Sequence, residues 1–148
     1  GNCSQCQAGE VPDSTKSSCV ECGSGRYALP GNATCAECSS GTFAPAGSGN
    51  CSQCQAGQVP DSTQSSCVQC QGGKFSVPGS ALCAECSSGT VAPAGSGNCS
   101  QCQAGEAPDP AKSSCAQCKR GWYALPGNAT CSECSSGTFA PACAECSS

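Results

Sequence analysis

Ten Cys-x-x-Cys pairs carry the chemistry available to this chain, and the first Cys of nine of them falls at 3, 19, 35, 51, 67, 83, 99, 115 and 131. Thiols in pairs have three uses: a labile redox dithiol, a thiolate set for zinc, or structural disulfides. A redox Cys-x-x-Cys needs a helix N-terminus in a βαβ setting to lower a thiol pKa, and no unit offers one. Zinc fits the spacing better, because Cys-x2-Cys-x12-Cys-x2-Cys suits a four-cysteine knuckle. Against zinc, ten thiolate pairs would add heavily to a net charge that is already −4, and the unbroken period leaves no separators between sites. Disulfides are the expected use, with no metal and no other cofactor.

The composition sets what those cysteines must do. With 20 Cys, 19 Gly and 10 Pro in 148 residues, and only 12 Val, Leu and Phe together, the chain has few side chains with which to build a core. That share lies far below the roughly 20% under which apolar burial fails to offset conformational entropy. Covalent bridges must take over. Several function classes fall away at once. There is no His, so no histidine triad or histidine zinc ligand exists. Six basic residues, scattered among ten acidic ones, give no footprint for nucleic acid. No apolar run approaches the eighteen or so residues of a membrane span, so no membrane insertion is expected. Gly1 starts without a charged-then-apolar leader, which reads as a mature secreted product or a window of a longer chain. No catalytic constellation is present, and the chain is not expected to be an enzyme.

The elements that position the cysteines repeat on two scales. Above the period of 16 lies one of 48: residues 1–48 and 49–96 are identical at 36 positions. The domains read as repeats 1–48, 49–96 and 97–142, followed by a slipped partial repeat, 143–148. Each unit runs Cys-x-x-Cys-x-x-Gly-x-apolar, with Gly9, Gly25, Gly41 and their successors kept as Gly, as a left-handed turn position demands. Two residues further on stands the unit's one sizeable apolar residue, such as Val11, Tyr27 or Phe43, expected to pack on a disulfide or a neighbour. Turn formers follow, either Pro-Asp-Ser-Thr (12–15, 60–63) or Leu-Pro-Gly-Asn (29–32, 125–128). Proline at this density excludes long helices. The expected fold is small and disulfide-rich: an elongated tandem array of short β-ribbons and turns, with little or no helix and no single core, each unit touching mainly its neighbours.

Three connectivities respect a translation by one unit. Each pair could close on itself, the second Cys could join the first of the next pair, or outer members could join. A self-closed pair is better suited to redox exchange than to stapling. The second option is a ladder: Cys6–Cys19, Cys22–Cys35, Cys38–Cys51, Cys54–Cys67, Cys70–Cys83, Cys86–Cys99, Cys102–Cys115, Cys118–Cys131 and Cys134–Cys143. Each loop of 14 residues would contribute about 3 kcal/mol in the chain-entropy model. Cys3 and Cys146 would remain for inter-repeat or inter-chain links. A rival scheme joins alternate motifs, Cys3–Cys19 with Cys6–Cys22, but its two-motif module falls out of phase with a three-motif repeat. Both stand at this point.

The units "CGSGRYALPGNATC" (22–35), "CSSGTFAPAGSGNC" (38–51) and "CKRGWYALPGNATC" (118–131) resemble the cysteine-rich repeats of ephrin receptors and tumour necrosis factor receptors. The resemblance spans 3–142 and rests on Cys-x-x-Gly-x-aromatic closed by another Cys-x-x-Cys. It implies an elongated extracellular array and favours Cys6–Cys19-type loops. It transfers no ligand, because the motif holds only scaffold residues. The near-identical tandem copies look more like protist or algal surface proteins and flagellar-hair components than like a receptor ectodomain.

Glycosylation sequons point the same way. Asn-Cys-Ser occurs at Asn2, Asn50 and Asn98, and Asn-Ala-Thr at Asn32 and Asn128, while the middle repeat has Ser80 and Leu82 instead. The Asn-Ala-Thr sites are the better acceptors, since the middle residue of Asn-Cys-Ser must also form a bridge. Trp122 and Tyr123, beside Lys119 and Arg120, make the one basic-aromatic cluster and a possible contact site, set against an exposed turn whose Tyr merely packs. Carboxylates such as Glu10 with Asp13 lack the oxygen-ligand spacing of a calcium loop. The sequence therefore points to a secreted or cell-surface structural protein, a filament, flagellar hair or coat, whose partners are its own copies or neighbouring repeats. The alternative is a receptor ectodomain module or stalk.

Overall fold

A computed structural model describes residues 5–135 of the chain. Its repeating element is a two-stranded antiparallel hairpin. β1 (Glu10–Pro12) pairs with β2 (Cys19–Glu21), β3 (Arg26–Tyr27) with β4 (Ala36–Glu37), and β5 (Thr42–Phe43) with β6 (Ser52–Gln53). The second repeat supplies β7 to β12, Gln58–Pro60 through Ser100–Gln101, and the third β13 to β16, Glu106–Pro108 through Ser132–Glu133. Among the described residues there is no helix, and every sheet is one such pair. The expected array of short ribbons and turns without a single core is what forms.

Strands this short follow from the sequence. The first strand of each hairpin begins just after a Gly at positive φ, as at Gly9 and Gly25, and ends at or soon before a proline, which removes a ladder donor. Each disulfide joins a Cys four residues before the first strand to the Cys that opens or immediately precedes the second, as Cys6–Cys19 and Cys22–Cys35 do. Two-residue strands alone are far too small to persist in water, so the bridge and the neighbouring units must hold each hairpin.

The chain divides into two compact units, one running to Gln69 and including Val77–Leu82, the other comprising Cys70–Ser76 and Cys83 onward. Within each, burial follows a repeating pattern. The second Cys of seven motifs is buried, from Cys6 to Cys102, while its disulfide partner is half-exposed. Val11 packs with Cys22 and Ala28, against the half-buried Cys35, so an apolar residue of one unit lies on the disulfide of the next. The aromatic residues are less central than the sequence suggests. Tyr27, Phe43, Phe75 and Tyr123 are only half-buried, whereas the small residue after each, Ala28, Ala44, Ser76 or Ala124, is almost completely enclosed. A ring does not fit where the backbone of the following unit passes.

Candidate functional site

The features with structural consequence are the loops that each unit presents to earlier ones. The three units of a repeat are here called A, B and C, beginning at Cys3, Cys19 and Cys35 in the first repeat. Eight disulfides close their loops: Cys6–Cys19, Cys22–Cys35, Cys38–Cys51, Cys54–Cys67, Cys70–Cys83, Cys86–Cys99, Cys102–Cys115 and Cys118–Cys131. All eight span 13 positions with Cα atoms 5.7 or 5.8 Å apart. The alternate-motif scheme does not form. A bridged sulfur is no thiolate, so these sixteen cysteines offer neither zinc ligands nor free nucleophiles. Cys3, Cys143 and Cys146 lie outside the described residues, as does the geometry of the expected Cys134–Cys143 bridge.

Backbone hydrogen bonds join each unit to the next. The Gly9 N–H donates to the Ala28 carbonyl at 2.8 Å, and the Gly31 N–H returns to the Cys6 carbonyl at 3.1 Å. The same two bonds recur one unit on, from Gly25 to Ala44 and from Gly47 to Cys22, and again in the second compact unit, from Gly73 to Ala92 and Gly95 to Cys70. Hydrogen bonds to main chain depend little on side-chain identity, which lets the register survive replacements such as Tyr27 by Phe75.

The reach extends one unit further than a nearest-neighbour array allows. A Cβ on Gly9 would overlap the Gly47 carbonyl, and one on Gly25 would stand 2.8 Å from the Thr63 carbonyl oxygen, two units away in each case. Gly73 bears the same relation to Ala111. The Gly of Cys-x-x-Gly is therefore required twice over, by its positive φ and by the carbonyl that takes the place of a side chain. Beyond the expected contacts with neighbours, the hollows at Gly9, Gly25, Gly41, Gly73 and Gly89 are thus filled from the next unit but one.

The B and C loops present that carbonyl from a second glycine, such as Gly79 against Gly41 or Gly47 against Gly9. The A loop has none there, and turns on a side-chain cage instead. The Asp13 carboxylate accepts from the backbone N–H of Ser17 (2.9 Å) and from the hydroxyls of Thr15 (2.9 Å) and Ser18 (2.9 Å), while Lys16 takes φ 57°. Asp61 and Asp109 repeat the arrangement with Ser65 and Ser113. The hydroxyl of Ser18, joined by Thr15 and the backbone of Ser17, outweighs desolvation and holds the Asp13 carboxyl down at about 2. Asp61 is held well below the usual range, first by the Ser65 N–H and hydroxyl. Desolvation is the largest influence on Asp109 and acts upward, but the combined bonds from Ser113 and Ser114 still lower it. The sequence marked these aspartates only as turn formers or weak calcium candidates, and the regular Asp-x-x-x-Ser-Ser spacing was the signal for the cage.

The residue at positive φ in the A turn also reaches backwards. Gln64 Nε2 donates to the Thr42 carbonyl at 2.9 Å and the Ser39 carbonyl at 3.2 Å, and Lys112 Nζ donates to the Cys86 carbonyl at 3.2 Å. Both thereby clamp an A unit onto the preceding C unit.

The remaining sequence candidates lie apart from these turns or at their edges. Asn50 and Asn98 are exposed, Asn32 and Asn128 half-buried, and Asn2 lies outside the described residues. Lys119 Nζ sits 5.2 Å from the Trp122 ring centroid, so the aromatic-basic cluster is a surface cation–π pair, with Trp122 36% exposed and the adjacent Tyr123 half-buried. Among the described residues no group of three or more His, Cys, Asp or Glu is placed to hold a metal ion, and no helix is long and apolar enough to cross a membrane. No protein-family model matches the chain, and a comparison with curated proteins finds no match.

Proposed function

We propose that this disulfide-stabilised repeat protein is an extracellular structural component, a glycosylated, bridge-stiffened strut that builds a filament, a flagellar hair or a cell-surface coat, and that it performs no catalysis. The observation that carries the reading is the equivalence of the joints. Eight bridges with one span, and one pair of backbone bonds recurring at four of the A-to-B and B-to-C joints, make the units repeated copies of one mechanical element. Such a series sets length and stiffness rather than a unique pocket. Dense disulfide bonding belongs to oxidising compartments, which supports a place outside the cell. The resemblance to the repeats of ephrin and tumour necrosis factor receptors agrees with that placement.

Sugars on Asn32 and Asn128, and to a lesser extent on Asn50, Asn98 and Asn2, would keep the strut hydrated. No metal or diffusible cofactor is required, and the partners are other repeats or other copies. Non-reducing peptide mapping by mass spectrometry of the protein from its natural source, with electron microscopy of the same material, tests this. Glycosylated, fully bridged peptides from particles forming regular filaments or arrays are expected. Reduced thiols with unmodified sequons, or compact particles that never associate, would overturn it.

A further inference from the structure

The three A turns share one aspartate cage and differ in the peptide bond that follows the aspartate. Asp13 and Asp61 precede Ser14 and Ser62, whereas Asp109 precedes Pro110. An aspartyl carboxyl can reach its own peptide carbonyl through a five-membered ring, and the difficulty of that reaction lies in the departing nitrogen. Proline leaves as a secondary amine, more basic than the primary amine a serine would release, and takes up a proton more readily as the bond breaks. Of the three caged aspartates, Asp109 alone stands before such a leaving group.

The surroundings prepare the carbonyl and restrain its attacker. The Lys112 N–H donates to the Asp109 carbonyl at 2.9 Å, which polarises the carbon and steadies the negative oxygen of a tetrahedral intermediate. Pro110 is exposed, so water reaches the bond. The carboxylate is occupied instead. Its Oδ1 accepts from the Ser113 N–H at 2.8 Å and its Oδ2 from the Ser113 hydroxyl at 3.0 Å, with longer bonds from the Ser114 N–H at 3.4 Å and hydroxyl at 3.3 Å. Desolvation pushes the Asp109 carboxyl up, but these bonds together hold it below its ordinary 3.8. The charged groups around the turn are Lys112, whose Nζ bonds the Cys86 carbonyl, Lys74 and Glu85, which share a cavity with Pro110 and Ala111, and Glu106, which opens β13 opposite Gln117.

We propose that Asp109–Pro110 is a self-cleavage site that the cage holds shut near neutral pH and that acid, or loss of the Ser113 contacts, opens. A carboxyl oxygen of Asp109 bonds to the Asp109 carbonyl carbon, the C–N bond to Pro110 breaks, and the carboxyl proton passes to the departing proline nitrogen. Water then opens the cyclic anhydride. One water is consumed, two carboxyls remain on Asp109, Pro110 becomes an amino terminus, and nothing is oxidised or reduced. The cut falls inside the loop closed by Cys102–Cys115, so the two pieces stay joined. It nevertheless parts the caged aspartate from Lys112, whose carbonyl accepts from the Ala92 N–H at 2.9 Å and whose Nζ bonds Cys86. One joint between repeats thus loosens without the chain coming apart. The inference goes beyond the structural reading above and does not depend on it.

The test incubates the whole oxidised chain in warm buffers from neutral to well below pH 3.8, beside reduced and alkylated chain as the unfolded reference. Mass spectrometry before and after reduction reads the outcome. In the most acid samples the native chain should gain the mass of one water and, on reduction only, give fragments 1–109 and 110–148. Near pH 3.8 the unfolded reference should be cut several-fold faster than the native chain. Ser113→Ala, which removes the hydroxyl from the carboxylate, should be cut several-fold faster than wild type there, with circular dichroism and free-thiol counts unchanged. Pro110→Ser, which copies the turns of the first two repeats, should stay whole, as should Asp13–Ser14 and Asp61–Ser62 in every sample. A native chain that never breaks or breaks as fast as the unfolded reference, a Ser113→Ala chain no faster than wild type, or a Pro110→Ser chain cut like wild type overturns the proposal. Each of these outcomes leaves disulfide pairing, glycosylation and filament formation, and hence the extracellular structural reading, untouched.

Discussion

The Asp13 turn and the Gly31 turn perform one task by different chemistry. Both reverse the chain at the tip of a disulfide-closed loop and aim backbone groups at other units. The B turn does so with a glycine at φ 83°, whose freedom removes any need for side-chain support. The A turn places a lysine or glutamine at φ 55–57° and supports that conformation with a carboxylate that gathers hydroxyls and amides around it. A repeat can therefore hold one geometry while two sequences supply it. The A turn gains a side chain at its apex for clamping the previous unit, and in exchange becomes dependent on the ionisation of an aspartate.

The disulfides offer the largest test of that difference. Removing either loop closure, as Cys6→Ser with Cys19→Ser or as Cys22→Ser with Cys35→Ser, should destabilise its compact unit by about 3 kcal/mol. The two variants should separate in what survives. With the Asp13 cage intact, the A loop should keep slowed amide exchange at Ser17 and Lys16, whose N–H groups donate to Asp13. The B loop, lacking such a cage, should lose protection throughout. Equal loss of protection in both loops would show that the carboxylate does not hold its turn alone.

Glycine replacement comes next in size. Gly25→Ala meets both a positive φ and the Thr63 carbonyl, whereas Gly31→Ala meets the φ penalty with only the end of the flexible Gln5 side chain nearby, at 3.7 Å. The second should cost about 1 kcal/mol and the first distinctly more. Gly23→Ala, with nothing within 4 Å, should be nearly silent in chemical denaturation. A Gly25→Ala variant as stable as Gly31→Ala would remove the two-units-on contact from the account of the fold.

Acid distinguishes the turns without mutation. Folding lowers the Asp13 pKa from 3.8 to about 2, so the contribution of its carboxylate is complete above the ordinary value and is lost as pH falls through that interval. Side-chain carboxyl shifts followed by NMR should show Asp13 titrating near 2, with Ser17 and Ser18 amides moving in step. The B-turn amides of Gly31 and Asn32 should stay still over the same range, because their bonds go to the carbonyls of Cys6 and Leu29. Ordinary titration of Asp13 near 3.8 would dissolve the cage.

Much of this was legible in the residues, and the part that was not has a common cause. The 16-residue period marked the hairpins, their bridges and the glycine at the start of each strand, because those depend on local backbone rules and on loop closure. The same glycines concealed their second role: nothing adjacent to Gly9 in sequence announces that the Gly47 carbonyl will lie against it. Weight fell on Tyr27 and Phe43 because large apolar residues usually mark a core. Here the following backbone passes so close that only Ala28 and Ala44 are fully enclosed, with the Ala28 N–H bonding the Ser48 carbonyl at 3.3 Å. Contacts between units 20 or 38 residues apart leave no periodic trace distinct from the repeat itself.

The smallest expected effect isolates the apex side chain, the feature the A turn has and the B turn lacks. Gln64→Ala removes two hydrogen bonds to the carbonyls of Thr42 and Ser39 but leaves the Gln64 main chain bonded to Ala44, so a loss of about 1 kcal/mol is expected. Lys16→Ala deletes the equivalent side chain where it is exposed and should leave the stability of a dilute sample unchanged. The pair of substitutions shares one turn geometry and differs in whether the side chain bonds a C unit among the described residues. If both behaved alike, the backbone alone would hold successive repeats in register. A measurable loss confined to Gln64→Ala would show that the aspartate cage serves to carry a clamp, which explains why a repeat with glycine turns in its B and C units keeps a more demanding turn in the A unit.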